Sequence, residues 1–154
     1  MSDLKQRLRD DLTAALKSGD TESVATIRMA LAAISKEEVA GKSARDLSDE
    51  EVIAVLTSEV KRRKEAAAAY QDAQRPELST QELREAEILS RYLPDPLTSD
   101  EVERLVAEAV TAAAAEGLTG GRAMGAVMKQ LKPATAGRVD GSELAALVKQ
   151  SLGL

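Results

Sequence analysis

The spacing of apolar residues along the chain predicts helices. Leucines recur every four residues from Leu4 to Leu16, and stripes with three- and four-residue spacing begin at Val24, Val52 and Leu83. Such spacing places apolar side chains on one face of an α-helix. No segment alternates apolar and polar residues as a half-buried strand does, so we expect an all-α fold.

Capping residues and prolines mark where the predicted helices begin and end. Ser48 with Glu51, and Thr98 with Glu101, have the spacing of a capping box, in which two side chains satisfy backbone amides at a helix start. We expect Pro133 to end the sixth helix. Thr21, Thr80 and Asp140 are expected to cap three further helices.

A pair of prolines divides the chain. Pro94 and Pro96 disfavour helical conformation at the residues before them, so a helix is not expected to continue through this segment. We predict an N-terminal four-helix domain over residues 1–93, a proline hinge at 94–97, and a C-terminal three-helix bundle over 98–154.

The composition excludes several kinds of catalytic site. The chain has no histidine and no cysteine, which excludes Ser-His-Asp triads, cysteine nucleophiles, disulfides and the usual ligand sets of zinc, haem and iron–sulfur clusters. We expect no metal, no cofactor and no catalytic residue. An independent enzyme would have to work with aspartate, glutamate, lysine or serine.

The first residues do not predict a targeting segment. Residues 1–12 are charged throughout and lack the apolar run of a signal peptide. No apolar stretch reaches the roughly 18 residues that suggest a membrane span. The expected location is the cytoplasm, with no membrane partner.

Charge is unevenly distributed over a chain whose net charge is −5. Residues 98–116 carry five acids against one arginine, whereas residues 117–154 carry five basic residues against two acids. A basic segment in an acidic protein indicates an anionic partner. The candidate anion-binding residues in this segment are Arg122, Lys129, Lys132 and Arg138.

A glycine-rich stretch, residues 119–125, resembles a phosphate loop but lacks the Lys-Ser/Thr pair and the preceding strand. We interpret Gly121 and Gly125, four residues apart, as close-packing positions where another helix approaches. Leucine at Gly125 would then overpack the C-terminal domain. The functional alternative is that the amides of Gly120 and Gly121 bind an anion beside Arg122.

A dense basic run, residues 61–64, spreads around most of a helix and is not expected to form one patch. Glu59 and Arg63 are four residues apart and are predicted to pair, with Arg63 in a gap of the apolar stripe. Arg28 on the second helix and Glu87 on the fourth are predicted to pair across helices.

Four blocks of the chain resemble the GatB/YqeY family. They are VATIRM at 24–29, EVKRRKEAAAAY at 59–70, EAEILSRYLP at 85–94, and the segment from Gly125 to Leu152. The resemblance covers nearly the whole chain, and the length matches the stand-alone YqeY-like members. It implies a helical domain followed by a three-helix domain, similar to the tail of the GatB component of the glutamine-dependent aspartyl/glutamyl-tRNA amidotransferase.

In that enzyme the tail holds tRNA, while kinase and amidase chemistry lie in other domains. The resemblance therefore implies a tRNA-binding module, with a carbon–nitrogen ligase label inherited from the parent enzyme and no autonomous catalysis. The implied partners are tRNA and amidotransferase subunits, and the candidate tRNA-binding residues are then Arg122, Lys129, Lys132 and Arg138. The alternative is a protein-interaction module without nucleic-acid binding, which would hold a partner helix in an apolar groove between the domains.

Overall fold

The computed structural model describes residues 1–154 as seven α-helices without strands, which confirms the all-α prediction. The helices are α1 (Asp3–Ser18), α2 (Thr21–Glu38), α3 (Asp49–Asp72), α4 (Pro76–Ser90), α5 (Ser99–Ala115), α6 (Gly120–Thr135) and α7 (Gly141–Ser151). They divide between two compact units, Met1–Pro94 and Asp95–Leu154. The N-terminal unit therefore contains α1–α4, and the C-terminal unit contains α5–α7.

The N-terminal unit has an aliphatic core drawn from all four of its helices. The side chains of Leu8, Ile27, Leu56 and Leu89 are almost fully buried there. Tyr92, just after α4, is buried against the same core, and its hydroxyl donates a 2.5 Å hydrogen bond to a carboxylate oxygen of Asp11. The guanidinium of Arg7 lies 4.8 Å from the centre of the Tyr92 ring. These contacts hold the end of α4 against α1.

The C-terminal unit has a separate core of smaller aliphatic side chains. Val106 of α5, Val127 and Leu131 of α6, and Leu144 and Val148 of α7 are buried together. Because α6 buries only one face here, its other face is left to solvent.

The capping boxes that the sequence predicts are present at α3 and α5. Two other predicted caps, Thr21 and Thr80, are wrong. The cap of α2 is Asp20, whose carboxylate accepts a hydrogen bond from the amide of Ser23. α4 begins at Pro76 rather than after Thr80, because the first position of a helix needs no amide hydrogen and suits the fixed backbone angle of proline.

Other differences concern helix ends and faces. Pro133 lies inside α6, which continues to Thr135; so close to the helix end, the proline removes only one internal hydrogen bond. Three leucines expected to face inward are partly exposed instead, namely Leu16, Leu83 and Leu147. No helix of the structure combines the length and the apolar character needed to cross a membrane.

Candidate nucleic-acid interface

One face of α6 carries three of the four predicted tRNA-binding residues. The opposite face of α6 is buried and carries Ala123, Val127 and Leu131, whereas the side chains of Arg122 and Lys129 are exposed. With 3.6 residues per turn, these two cations lie about 20° apart around the helix axis and about 10 Å apart along it. Exposed Lys132 lies about 60° further round. We call Arg122, Lys129 and Lys132 the α6 basic surface.

No acidic residue offsets this charge within α6, whose sequence is GGRAMGAVMKQLKPAT. Each of the other six helices carries at least one acid in its first turn, and α6 carries none. Thr119 caps α6 without a side-chain hydrogen bond. Since a helix N-terminus carries partial positive charge, the helix dipole adds to the positive field beside Arg122, in the first turn of α6.

Arg138, the fourth predicted residue, has a structural role. Its Nε donates a 2.9 Å hydrogen bond to the carbonyl of Asp95, and its own carbonyl accepts one of 2.9 Å from the amide of Leu97. Its Nη1 also lies 3.5 Å from the carbonyl of Ala134. Arg138 therefore fixes Asp95 and Leu97, two residues of the predicted hinge, within the C-terminal unit. We leave it out of the α6 basic surface.

The close-packing interpretation of Gly121 and Gly125 is wrong. Both residues are exposed, and a Cβ atom added to either would meet no other atom within 4 Å. The helices of the C-terminal unit pack on the face of α6 that carries Val127 and Leu131, so no helix covers the glycines. Leucine at Gly125 would enter open space rather than overpack the core.

A cluster of buried charges lies in the N-terminal unit. The predicted pair is present: Nη1 of Arg63 lies 2.8 Å from a carboxylate oxygen of Glu59, and the other oxygen of Glu59 accepts a 3.0 Å bond from Arg62. Nε of Arg63 lies 3.4 Å from the carboxylate of Glu85. The side chains of Arg63, Glu59 and Glu85 are 5%, 10% and 15% exposed. Burial and the charge of Glu85 raise the pKa of Glu82 nearby.

A comparison with known families places both the buried cluster and the α6 basic surface inside one matched stretch of sequence. The sequence model of the Yqey-like protein family matches residues 5–152. The chain belongs to the YqeY-like family. A search of curated proteins finds no match to it.

The second predicted ion pair is absent from this YqeY-like chain. Arg28 and Glu87 are both exposed, and no salt bridge joins them. Glu85, two residues earlier on α4, is the acid that reaches Arg63 of α3. A two-residue step turns a helix by about 200°, so Glu85 and Glu87 face nearly opposite directions. Glu85 precedes buried Leu89 by four residues, and this spacing was the available sign that it faces inward.

Sequence reasoning also missed a buried pair between α1 and α2. Nζ of Lys5 lies 2.7 Å from both carboxylate oxygens of Glu38, and the side chains are 7% and 13% exposed. Lys5 precedes buried Leu8 by three residues, so it lies on the inward face of α1. A lysine placed at an apolar position of the stripe was the signal that this residue is buried.

The N-terminal unit also has an open groove between α2 and α3, with a volume of about 670 Å³. Small side chains line much of it, together with Glu59, Arg62 and exposed Met29. The small lining residues are Ala32, Ala33, Ala54 and Ser58. The groove carries both signs of charge, since Lys36 and Glu37 line it as well.

Proposed function

We propose that this YqeY-like protein is a tRNA-binding module related to the tail of the glutamine-dependent tRNA amidotransferase. The α6 basic surface is the part that contacts tRNA phosphates. One observation carries the proposal: Arg122, Lys129 and Lys132 are exposed on a helix that contains no acid, in a chain whose net charge is −5.

The chemistry of this surface favours contacts with the RNA backbone over contacts with bases. The two tyrosines of the chain, Tyr70 and Tyr92, both belong to the N-terminal unit. The C-terminal unit therefore has no aromatic ring on which a base could stack. Recognition then depends on the shape of folded RNA and on its phosphates, and binding weakens steeply as salt is added.

The resemblance to the amidotransferase carries a carbon–nitrogen ligase label, and we assign no catalytic residue in this chain. The proposed role is to hold tRNA, in the cytoplasm, for chemistry performed by other polypeptides. Co-purification with amidotransferase subunits in the presence of tRNA, and its loss after ribonuclease treatment, would support this role.

Charge reversal tests the proposed surface. We expect the double variant Arg122→Glu/Lys129→Glu to lose most of its affinity for tRNA while its far-UV circular dichroism is unchanged, because both side chains point away from the core. Fluorescence anisotropy of a labelled tRNA transcript measures the binding.

The matched control is Arg104→Glu/Lys149→Glu, which changes the net charge of the same unit by the same amount at exposed positions of α5 and α7. The control is expected to lose little affinity. If the two double variants weaken binding equally, overall charge rather than the α6 basic surface attracts the tRNA, and the proposal is wrong.

A second candidate function is protein interaction, favoured by the groove between α2 and α3 and by the exposure of Met29 inside it. Filling the groove with Ala33→Trp would block a partner helix there without touching α6. If this variant loses amidotransferase subunits while keeping tRNA affinity, the protein has two separate binding surfaces. If tRNA affinity is absent in the wild type and the subunits still bind, this second function replaces the first.

A further inference from the structure

Two glycines of α6 have no structural reason to be glycine. Gly121 and Gly125 lie inside the helix, have no positive φ angle, and are open to solvent. Glycine within a helix lowers its stability relative to alanine, because the flexible backbone must be ordered without any side-chain contact in return. Neither packing nor backbone conformation explains why glycine occupies these two positions despite this loss of stability.

Gly125 lies close to the three cations of the α6 basic surface. Gly125 follows Arg122 by three residues, precedes Lys129 by four and precedes Lys132 by seven. Each of these spacings places the pair on neighbouring parts of one helix face. The bare backbone at Gly125 is thus bordered by all three cations of the α6 basic surface, and Gly121 extends it by one turn toward the helix start.

The same face offers little to a protein partner. The large apolar side chains that are exposed in this chain all lie outside α6. The centre of a protein–protein interface is usually depleted in charge and rich in aromatic or methionine side chains, whereas this face has cations around uncovered backbone. These features suit a polyanion that approaches the helix closely.

We propose that Gly121 and Gly125 are contact positions, where a ribose–phosphate strand of folded RNA lies against the main chain of α6. The three cations of the α6 basic surface meet phosphates on either side of the contact. The inference rests on the proposed function and adds to it the mode of approach: side chains at the two glycines would hold the RNA away from the cations.

The test adds side chains at these positions. Gly121→Leu and Gly125→Leu are expected to raise the dissociation constant for a labelled tRNA transcript by about tenfold or more, since the added bulk separates cations from phosphates. Their melting temperatures should equal or exceed that of the wild type, because leucine is a better helix former and enters open space. Gly125→Ala, which adds one methyl group, should be more stable with a smaller loss of affinity.

The matched control is Gly141→Leu, which adds the same side chain at a helical glycine of α7 that also faces open space. It is expected to bind tRNA like the wild type. Wild-type affinity in both α6 leucine variants, together with lost affinity in Arg122→Glu/Lys129→Glu, would overturn the glycine contact and leave the proposed function standing.

If the charge-reversal variant also binds normally, both proposals fail. Poly-glutamate serves as the competitor that distinguishes RNA from an acidic protein. Displacement of the tRNA by poly-glutamate at equal charge concentration would show that the surface accepts any acidic chain, which contradicts a contact shaped for a ribose–phosphate strand.

Discussion

Replacing Arg63 with alanine is expected to lower the free energy of unfolding of the N-terminal unit by about 3–5 kcal/mol, the cost of removing one member of a buried ion pair. The variant leaves two carboxylates, those of Glu59 and Glu85, only 10% and 15% exposed and without their shared cation. Arg62 still reaches Glu59, but its own side chain is 74% exposed, so water screens its charge.

A second ion pair provides the control. Arg75 and Glu77 are joined at 2.9 Å, nearly the same distance as Arg63 and Glu59, but their side chains are 60% and 62% exposed. Exposed pairs contribute about 0–1 kcal/mol. Arg75→Ala is therefore expected to change stability little, and burial rather than distance accounts for the difference between the two variants.

Urea unfolding followed by tyrosine fluorescence measures the effect. The chain has no tryptophan, and Tyr70 and Tyr92 both lie in the N-terminal unit, so this signal reports that unit alone. With a urea dependence of about 2 kcal/mol per molar, a loss of 3–5 kcal/mol lowers the midpoint by about 1.5–2.5 M. A loss below about 1 kcal/mol, as small as that of an exposed pair, would refute the reasoning from burial.

Three further predictions concern single contacts. A hydrogen bond from Arg45 lowers the pKa of Glu51 to about 2 from 4.5, so its stabilising effect is complete above pH 4.5 and is lost as the pH falls toward 2; the melting-temperature difference between wild type and Glu51→Gln should disappear over that range. Tyr92→Phe removes the hydrogen bond to Asp11 and should cost about 1.5 kcal/mol in urea unfolding followed by circular dichroism, and no measurable loss would contradict the bond. Arg138→Ala frees the Asp95 carbonyl and should speed hydrogen exchange at the Leu97 amide, whereas unchanged exchange would show that the side chain does not hold this segment.

The helices were predictable because the core is aliphatic and the periodicity is regular. Stripes such as the one through Leu8 and the one through Val52 mark inward faces, and the capping boxes at Ser48 and Thr98 fix two helix starts by local chemistry. These features depend on residues within about one turn of helix, so they can be recognised in the sequence without knowledge of the tertiary structure.

The errors arose where tertiary contacts decide the outcome. A glycine on a helix has the same sequence pattern whether another helix covers it or solvent does, and at Gly125 it is solvent. Arg138 follows a glycine in a basic segment, but the carbonyl of Asp95, 43 residues away in sequence, holds its side chain. Which acid of α4 faces inward depends on how α3 and α4 pack: Glu85 reaches Arg63, whereas Glu87, predicted to pair with Arg28, is exposed to solvent.

The salt dependence of tRNA binding by the wild-type protein tests the central claim most directly. The α6 basic surface offers three cations, and each phosphate contact contributes about 0.7–0.9 to the slope of log affinity against log salt, so the predicted slope is about −2 to −3. In Arg122→Glu/Lys129→Glu the slope should become flatter by about 2 as affinity falls. Absence of saturable tRNA binding at about 50 mM salt, or a steep slope that the double variant leaves unchanged, would contradict the assignment of α6 as the tRNA-binding surface.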